Sequence, residues 1–104
     1  MNRNEMYKLL IKLGVRTDLE GFDYLVEGLL LCYINEYYVY NTIELYNFLA
    51  KRFSKTRYSI ERNIRYCIQK SKIENEEIFN KNNKMTNSLF ISGIVKYLHY
   101  RNEV

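Results

Sequence analysis

Within residues 51–72, Lys51, Arg52, Lys55, Arg57, Arg62, Arg65, Lys70 and Lys72 stand against a single acid, Glu61, a net charge of +7. The whole 104-residue chain carries only +4, so everything outside this segment sums to −3. Guanidinium and ammonium groups at this density neutralise phosphates, and an arginine fork can also donate two hydrogen bonds to a guanine edge. Interleaved with the cations are Tyr58, Ser59, Tyr66 and Gln69, whose planar or hydroxylated groups stack or hydrogen-bond. A solvated basic face without a partner would carry the same residue types. Concentration of positive charge on one element of an otherwise acidic chain favours a nucleic-acid surface.

The element that must carry these groups is a helix. At about 100° per residue, Ile60, Ile64, Cys67, Ile68 and Ser71 fall on one narrow face. Tyr58, Arg62, Arg65, Tyr66 and Gln69 fall opposite, with Glu61 on the flank. Thr56 is placed to cap the N-terminus through its hydroxyl. Upstream, residues 42–53 form a second helical pattern with Ile43, Tyr46, Leu49, Ala50 and Phe53 on one side. The short link 54–56 joins the two. Two helices, a tight link and a basic second helix predict a helix-turn-helix over about residues 42–72.

Bulk properties set the frame. A chain of this length can bury a core as one domain, here residues 1–104, without staples. Apolar residues at 47% with 27% charge place it among globular proteins rather than disordered ones. Proline is absent and glycine occurs four times, which favours long helices with short connections. With one alanine and eleven tyrosines, part of the core volume must come from tyrosine rings, whose hydroxyls need partners when buried. Cys32 and Cys67 sit inside apolar helical stretches and form no CxxC pair, so they read as reduced core thiols of a cytoplasmic protein. A lone His99 and scattered acids predict no metal site and no cofactor. No signal peptide is visible, and the longest apolar run, 29–34, is too short for a bilayer, so no membrane partner is expected.

Taken in order, residues 3–13 read as a first helix with Met6, Leu9, Leu10 and Leu13 inward, stopped by Gly14. Thr17 or Asp18 is the expected cap of a second helix reaching about Asn35, with Leu19, Phe22, Leu25, Val26, Leu29, Leu30 and Tyr33 inward. A tyrosine-rich bend at 37–40 leads into the helix-turn-helix. After Lys72 the acids Glu74, Glu76 and Glu77, then Ile78 and Phe79, suggest one or two helical turns returning to the core. Residues 80–84 read as a polar loop. Thr86, Asn87 and Ser88 form an N-cap cluster for a last helix ending near Arg101, with Leu89, Phe90, Ile94, Val95 and Leu98 as its apolar outline. The expectation is an all-α, compact six-helix domain.

Four blocks of the chain then resemble a known family, the C-terminal effector domain of the sporulation master response regulator, stage zero sporulation protein A. Leu13-Gly14-Val15 followed by Gly21-Phe22-Asp23-Tyr24-Leu25 is similar to its I-G-V and G-Y-Q-Y-L. Leu45-Tyr46, then Leu49-Ala50-Lys51-Arg52-Phe53, resembles L-Y and I-A-K-K-Y. Ile60-Glu61-Arg62-Asn63-Ile64-Arg65-Tyr66 resembles V-E-R-A-I-R-H, and Thr86-Asn87-Ser88 with Phe90-Ile91 resembles T-N-S-E-F-I. Order and spacing of the blocks match, which is more specific than a bare helix-turn-helix.

The resemblance implies a six-helix domain that binds double-stranded DNA at a box close to TGTCGAA, with the helix 57–72 in the major groove. Glu61, Arg62 and Arg65 occupy the positions of the family's principal DNA-contacting residues. Arg62 is assigned to guanine, Glu61 to cytosine N4, and Arg65 to base or phosphate, with Tyr66 beside them. Each good bidentate pair contributes about 1–3 kcal/mol of base discrimination. Lys51, Lys55, Arg57, Tyr58, Ser59, Gln69 and Lys70 are assigned to phosphate or supporting contacts. An intrahelical Glu61–Arg65 pair has the favourable i,i+4 order and is compatible with either role.

The chain departs from the family pattern at Ser59, where the family has arginine, at Tyr66, where it has histidine, and at Arg57, where it has proline. The stretch 80–85 is several residues shorter. Family members carry a receiver domain ahead of the effector, whereas this chain begins at Met1 just before the first helix. The resemblance implies a regulator of sporulation or a related stationary-phase programme, with copies pairing head to tail on tandem boxes and touching RNA polymerase through its sigma factor near the family's fifth helix. The alternative is a protein-interaction module that pairs with, and antagonises, a full-length relative. An enzyme acting on a small-molecule substrate has no nucleophile–base set or phosphate-cradling glycine loop to build on.

Overall fold

The computed structural model describes residues 1–75, 77–79 and 84–102, apart from the side chain of residue 102. Among these the secondary structure is six helices and no strand: α1 (Arg3–Lys12), α2 (Glu20–Ile34), α3 (Tyr37–Tyr40), α4 (Thr42–Phe53), α5 (Arg57–Lys70) and α6 (Asn87–Asn102). The all-α expectation holds, but one of its members changes. The tyrosine-rich bend is a helical turn, α3, whereas the described residues between Lys72 and α6 form no helix. Asn75 instead caps a single turn there: its carbonyl oxygen accepts from Phe79 N–H at 2.9 Å and its side chain from Glu77 N–H at 2.9 Å. Asparagine satisfies backbone donors locally, so the chain turns without needing a helical ladder. Phe79 still returns to the core, stacked on Phe90 at 5.4 Å between centroids. Glu76 and residues 80–83 of the polar loop expected over 80–84 lie outside the described residues.

Helix α2 is the central element, in contact with all five others. Phe22, Leu25, Val26 and Leu29 are buried as expected, and Leu19, Leu30 and Tyr33 pack partly against them. Tyr24 and Cys32 are also buried, so α2 is apolar around more of its circumference than one stripe. The expected cap by Thr17 or Asp18 does not form: the N-cap is Leu19, which makes no side-chain capping bond. Asp18 is engaged instead by Arg16, whose Nη2 donates to its carboxylate at 2.6 Å and holds it below the usual carboxylate range.

The ends of α1 follow their local chemistry. Asn2 and Glu5 form a reciprocal capping box, with Glu5 N–H donating to Asn2 Oδ1 at 2.9 Å and Asn2 N–H to Glu5 Oε1 at 3.3 Å. At the other end Gly14 has φ +96°, a conformation glycine adopts without steric cost. In α4 the buried residues are Leu45, Tyr46 and Leu49, while Ile43, expected inward, is 57% exposed. The α6 interface is Phe90, Ile91, Ile94, Val95 and Leu98, with Leu89 turned out instead of in. In each case the exposed residue lies in the opening turn of its helix. Cys32 and Cys67 are free and buried.

Candidate nucleic-acid interface

The link between α4 and α5 is a compact reversal. Ser54 takes the left-handed conformation, φ 56° and ψ 48°, and Lys55 N–H reaches back to the Ala50 carbonyl at 2.9 Å. That six-to-one bond closes the end of α4 as a Schellman motif, with serine where glycine is usual. Two residues later Thr56 Oγ1 accepts from Ser59 N–H at 3.1 Å and starts α5, as its position predicted.

Helix α5 buries Ile60, Ile64, Cys67 and Ile68 and presents the opposite face to solvent. Tyr58, Arg62, Arg65, Tyr66, Gln69 and Lys70 are exposed, while Arg57, Ser59 and Glu61 are half-buried. Glycine lets the helix sit close: a Cβ at Gly21 of α2 would lie 2.1 Å from Asn63 O and 2.8 Å from Cys67 Cβ. Helix α5 is thus pressed onto α2 by its apolar face, which turns the cationic face outward.

The connection between α1 and α2 braces the far end of α5. Arg16 N–H donates to Ser71 Oγ at 3.0 Å, Ser71 Oγ donates to Cys67 O at 2.7 Å, and the Cys67 thiol donates to Arg16 O at 3.7 Å. Burial pushes the Cys67 thiol up, so it stays protonated and serves as a donor. Nothing in the sequence marked Arg16 for this role beyond its place next to Leu13-Gly14-Val15.

Charges on the outer face fall into two sets. Glu61 and Arg65 form the i,i+4 ion pair that their spacing allows. Arg57 Nη2 donates to Tyr58 Oη at 2.9 Å with its guanidinium 4.9 Å from the ring centroid, and Lys70 Nζ lies 5.6 Å from the Tyr66 centroid. Lys55 Nζ stands 3.4 Å from Glu20 and Arg52 Nε 3.3 Å from Glu27, so acids of α2 offset part of the basic charge. By contrast Arg62, Lys51 and Gln69 make no hydrogen bond or ion pair among the described residues. An exposed arginine with all its donors free, in the middle of the outer face, is ready to engage an external acceptor.

Another residue enters the site from α6. Thr86 is the N-terminal cap there, its Oγ1 accepting from Leu89 N–H at 3.1 Å. Its neighbour Asn87 is buried: its Nδ2 donates to Tyr46 Oη of α4 and to the Glu61 carbonyl of α5, both at 3.2 Å. Read as part of a cap cluster, Asn87 gave no sequence signal of an inward contact.

A solvent-facing, arginine-bearing second helix, set on a three-residue turn and backed by the first, defines a DNA-binding domain of the helix-turn-helix class. Residues 6–98 match the family model described as Sporulation initiation factor Spo0A C terminal, and the chain belongs to that family. Sporulation, transcription regulation and DNA binding come with that membership, and the family is a regulatory rather than an enzymatic one. Among the described residues no helix is long and apolar enough to cross a membrane.

Proposed function

We propose that the chain is a sequence-specific reader of double-stranded DNA that regulates transcription in sporulation or a related stationary-phase programme. Helix α5 enters the major groove, with Arg62 donating to guanine O6 and N7, Glu61 accepting from cytosine N4, and Arg65 and Tyr66 reaching a neighbouring base or phosphate. Lys51, Lys55, Arg57, Tyr58, Ser59, Gln69 and Lys70 hold the sugar-phosphate backbone on either side. The observation that carries this reading is Arg62, exposed and unpaired among the described residues, at the centre of a helix whose other arginines are engaged within the protein. The preferred site is a box related to TGTCGAA, and Ser59 and Tyr66 set its differences from the family box. Residues 1–104 act as one cytoplasmic domain, copies sit head to tail on tandem boxes, and RNA polymerase sigma factor is the further partner.

Anisotropy titrations of a labelled duplex across a salt series test the claim. With several phosphates neutralised, the logarithm of affinity should fall linearly with the logarithm of salt, by about 0.9 for each phosphate contacted. Affinity that is independent of salt would contradict a DNA interface on α5.

A further inference from the structure

We infer that Asn87 is a positioning residue for base recognition, acting through the main chain of Glu61. The inference rests on the reading of α5 as the DNA-contacting helix. The two hydrogens of the Asn87 amide are divided between the two helices of the helix-turn-helix. One goes to Tyr46 Oη on α4 and the other to the Glu61 carbonyl on α5, each at 3.2 Å. Asn87 therefore ties α4 and α5 together from a third element, at the residue whose side chain and immediate neighbour are proposed to touch bases.

Chemistry fixes the direction of the tie. A flipped amide would set its oxygen against the Glu61 carbonyl oxygen, two acceptors facing each other, so only the observed orientation is tolerated. Among the described residues Asn87 Oδ1 is buried with no hydrogen-bond partner, so the amide retains its place although one of its polar atoms goes unsatisfied there. A buried group in that condition is costly, and its position is set by the two bonds it does make. Apolar contacts along α5 allow small rotations and slides, because Ile60, Ile64 and Ile68 are not directional. A bond to one carbonyl is directional, and in the N-terminal half of α5, away from the Arg16–Ser71–Cys67 bonds at the far end, it fixes the rotation of Glu61, Arg62 and Arg65 relative to the first helix.

A positioning role and a purely structural role differ in what they do to discrimination. Loss of folded protein lowers affinity for every duplex alike. A recognition helix that is folded but free to rotate keeps its phosphate contacts and loses base selectivity. The experiment uses the full chain, the duplex that the wild type selects from a random pool, and a scrambled duplex of the same composition. Asn87→Ala should reduce the ratio of selected to scrambled affinity by about tenfold or more, the loss of roughly one bidentate base contact. Affinity for the scrambled duplex, corrected for folded fraction, should stay within about twofold, since phosphate contacts are retained. If Asn87→Ala is too unstable to assay, Asn87→Ser keeps a polar group in the site but is too short to span both partners, and should show the same loss. Tyr46→Phe, which cuts the tie to α4 and leaves only the bond to Glu61, should lower the ratio in the same direction. A folded Asn87 variant that retains full discrimination would overturn the inference and leave the DNA-reading role standing. A wild type that selects no duplex would overturn base reading itself, and with it the inference.

Discussion

Gly21 of α2 and Asn63 of α5 meet backbone to backbone, since a Cβ on Gly21 would stand 2.1 Å from the Asn63 carbonyl oxygen. No rotamer change relieves that contact, because the obstructing atom belongs to a helix main chain. The seat of the basic helix is therefore set by the absence of a side chain on its neighbour. Gly21→Ala should destabilise the fold by about 1–3 kcal/mol, the usual range for overpacking a tight site. Thermal melting followed by circular dichroism should show the midpoint lowered, and an unchanged midpoint would mean the helices are not in backbone contact.

Ser54 offers the opposite case. As a non-glycine residue in the left-handed region it carries a local cost of about 1–2 kcal/mol. Glycine would remove that cost but adds unfolded-state entropy worth about 0.5–1 kcal/mol. Ser54→Gly should therefore stabilise the protein by about 0–1.5 kcal/mol while leaving DNA affinity unchanged. Chemical denaturation measures the first and duplex titration the second. A destabilised Ser54→Gly would mean that the link between α4 and α5 is not left-handed.

Glu61 tests the division of labour on α5. Its pair with Arg65 is on the surface and contributes only about 0.2–0.5 kcal/mol to the helix, so Glu61→Ala should fold normally. Removing the one acid from the basic face should raise affinity for arbitrary duplexes and lower selectivity for the preferred one. Comparing selected and scrambled duplexes at fixed salt measures both. Lower affinity for scrambled DNA would show that Glu61 serves only to orient Arg65.

Alkaline stability follows from the buried hydroxyls and thiols. Burial, reinforced by the hydrogen bond to Glu20, raises Tyr24 to about 12 from an ordinary 10.0, and burial raises Cys32 to about 12 from 9.0. Tyr46 and Cys67 are also pushed up by burial. In every case the folded state holds the proton to higher pH than the unfolded chain does. The contribution is thus complete below about pH 9 and is lost as pH rises toward 12. Urea midpoints should fall across that window, and Tyr24→Phe should flatten the fall. A Tyr24→Phe variant with an undiminished slope would contradict the assignment.

Much of this was legible in the residues themselves. Thr56 announced the start of α5, and Ile60, Ile64, Cys67 and Ile68 announced which way it faces, because helical periodicity and capping are local. Gly14 was legible as a stop for the same reason. What escaped was set by distant parts of the chain. Tyr24 and Cys32 are buried because α2 is surrounded, which no single-stripe pattern conveys. Leu19 starts α2 without a side-chain cap, and Asp18 is paired with Arg16 across the chain's own turn instead. Asn75 caps a single turn where the apolar Ile78 and Phe79 suggested helix. Asn87 looks like a cap in sequence, and only packing against α4 and α5 shows that its amide turns inward.

Base reading by Arg62 is tested most directly by comparing wild type with Arg62→Ala. Binding to a duplex carrying the TGTCGAA-like box and to a scrambled duplex would be measured at two salt concentrations. Wild type should prefer the box, and Arg62→Ala should lose that preference, at a cost of about 1–3 kcal/mol on the box, while keeping its salt-dependent affinity for the scrambled duplex. Equal loss on both duplexes, or preference that survives in Arg62→Ala, would contradict base reading by Arg62.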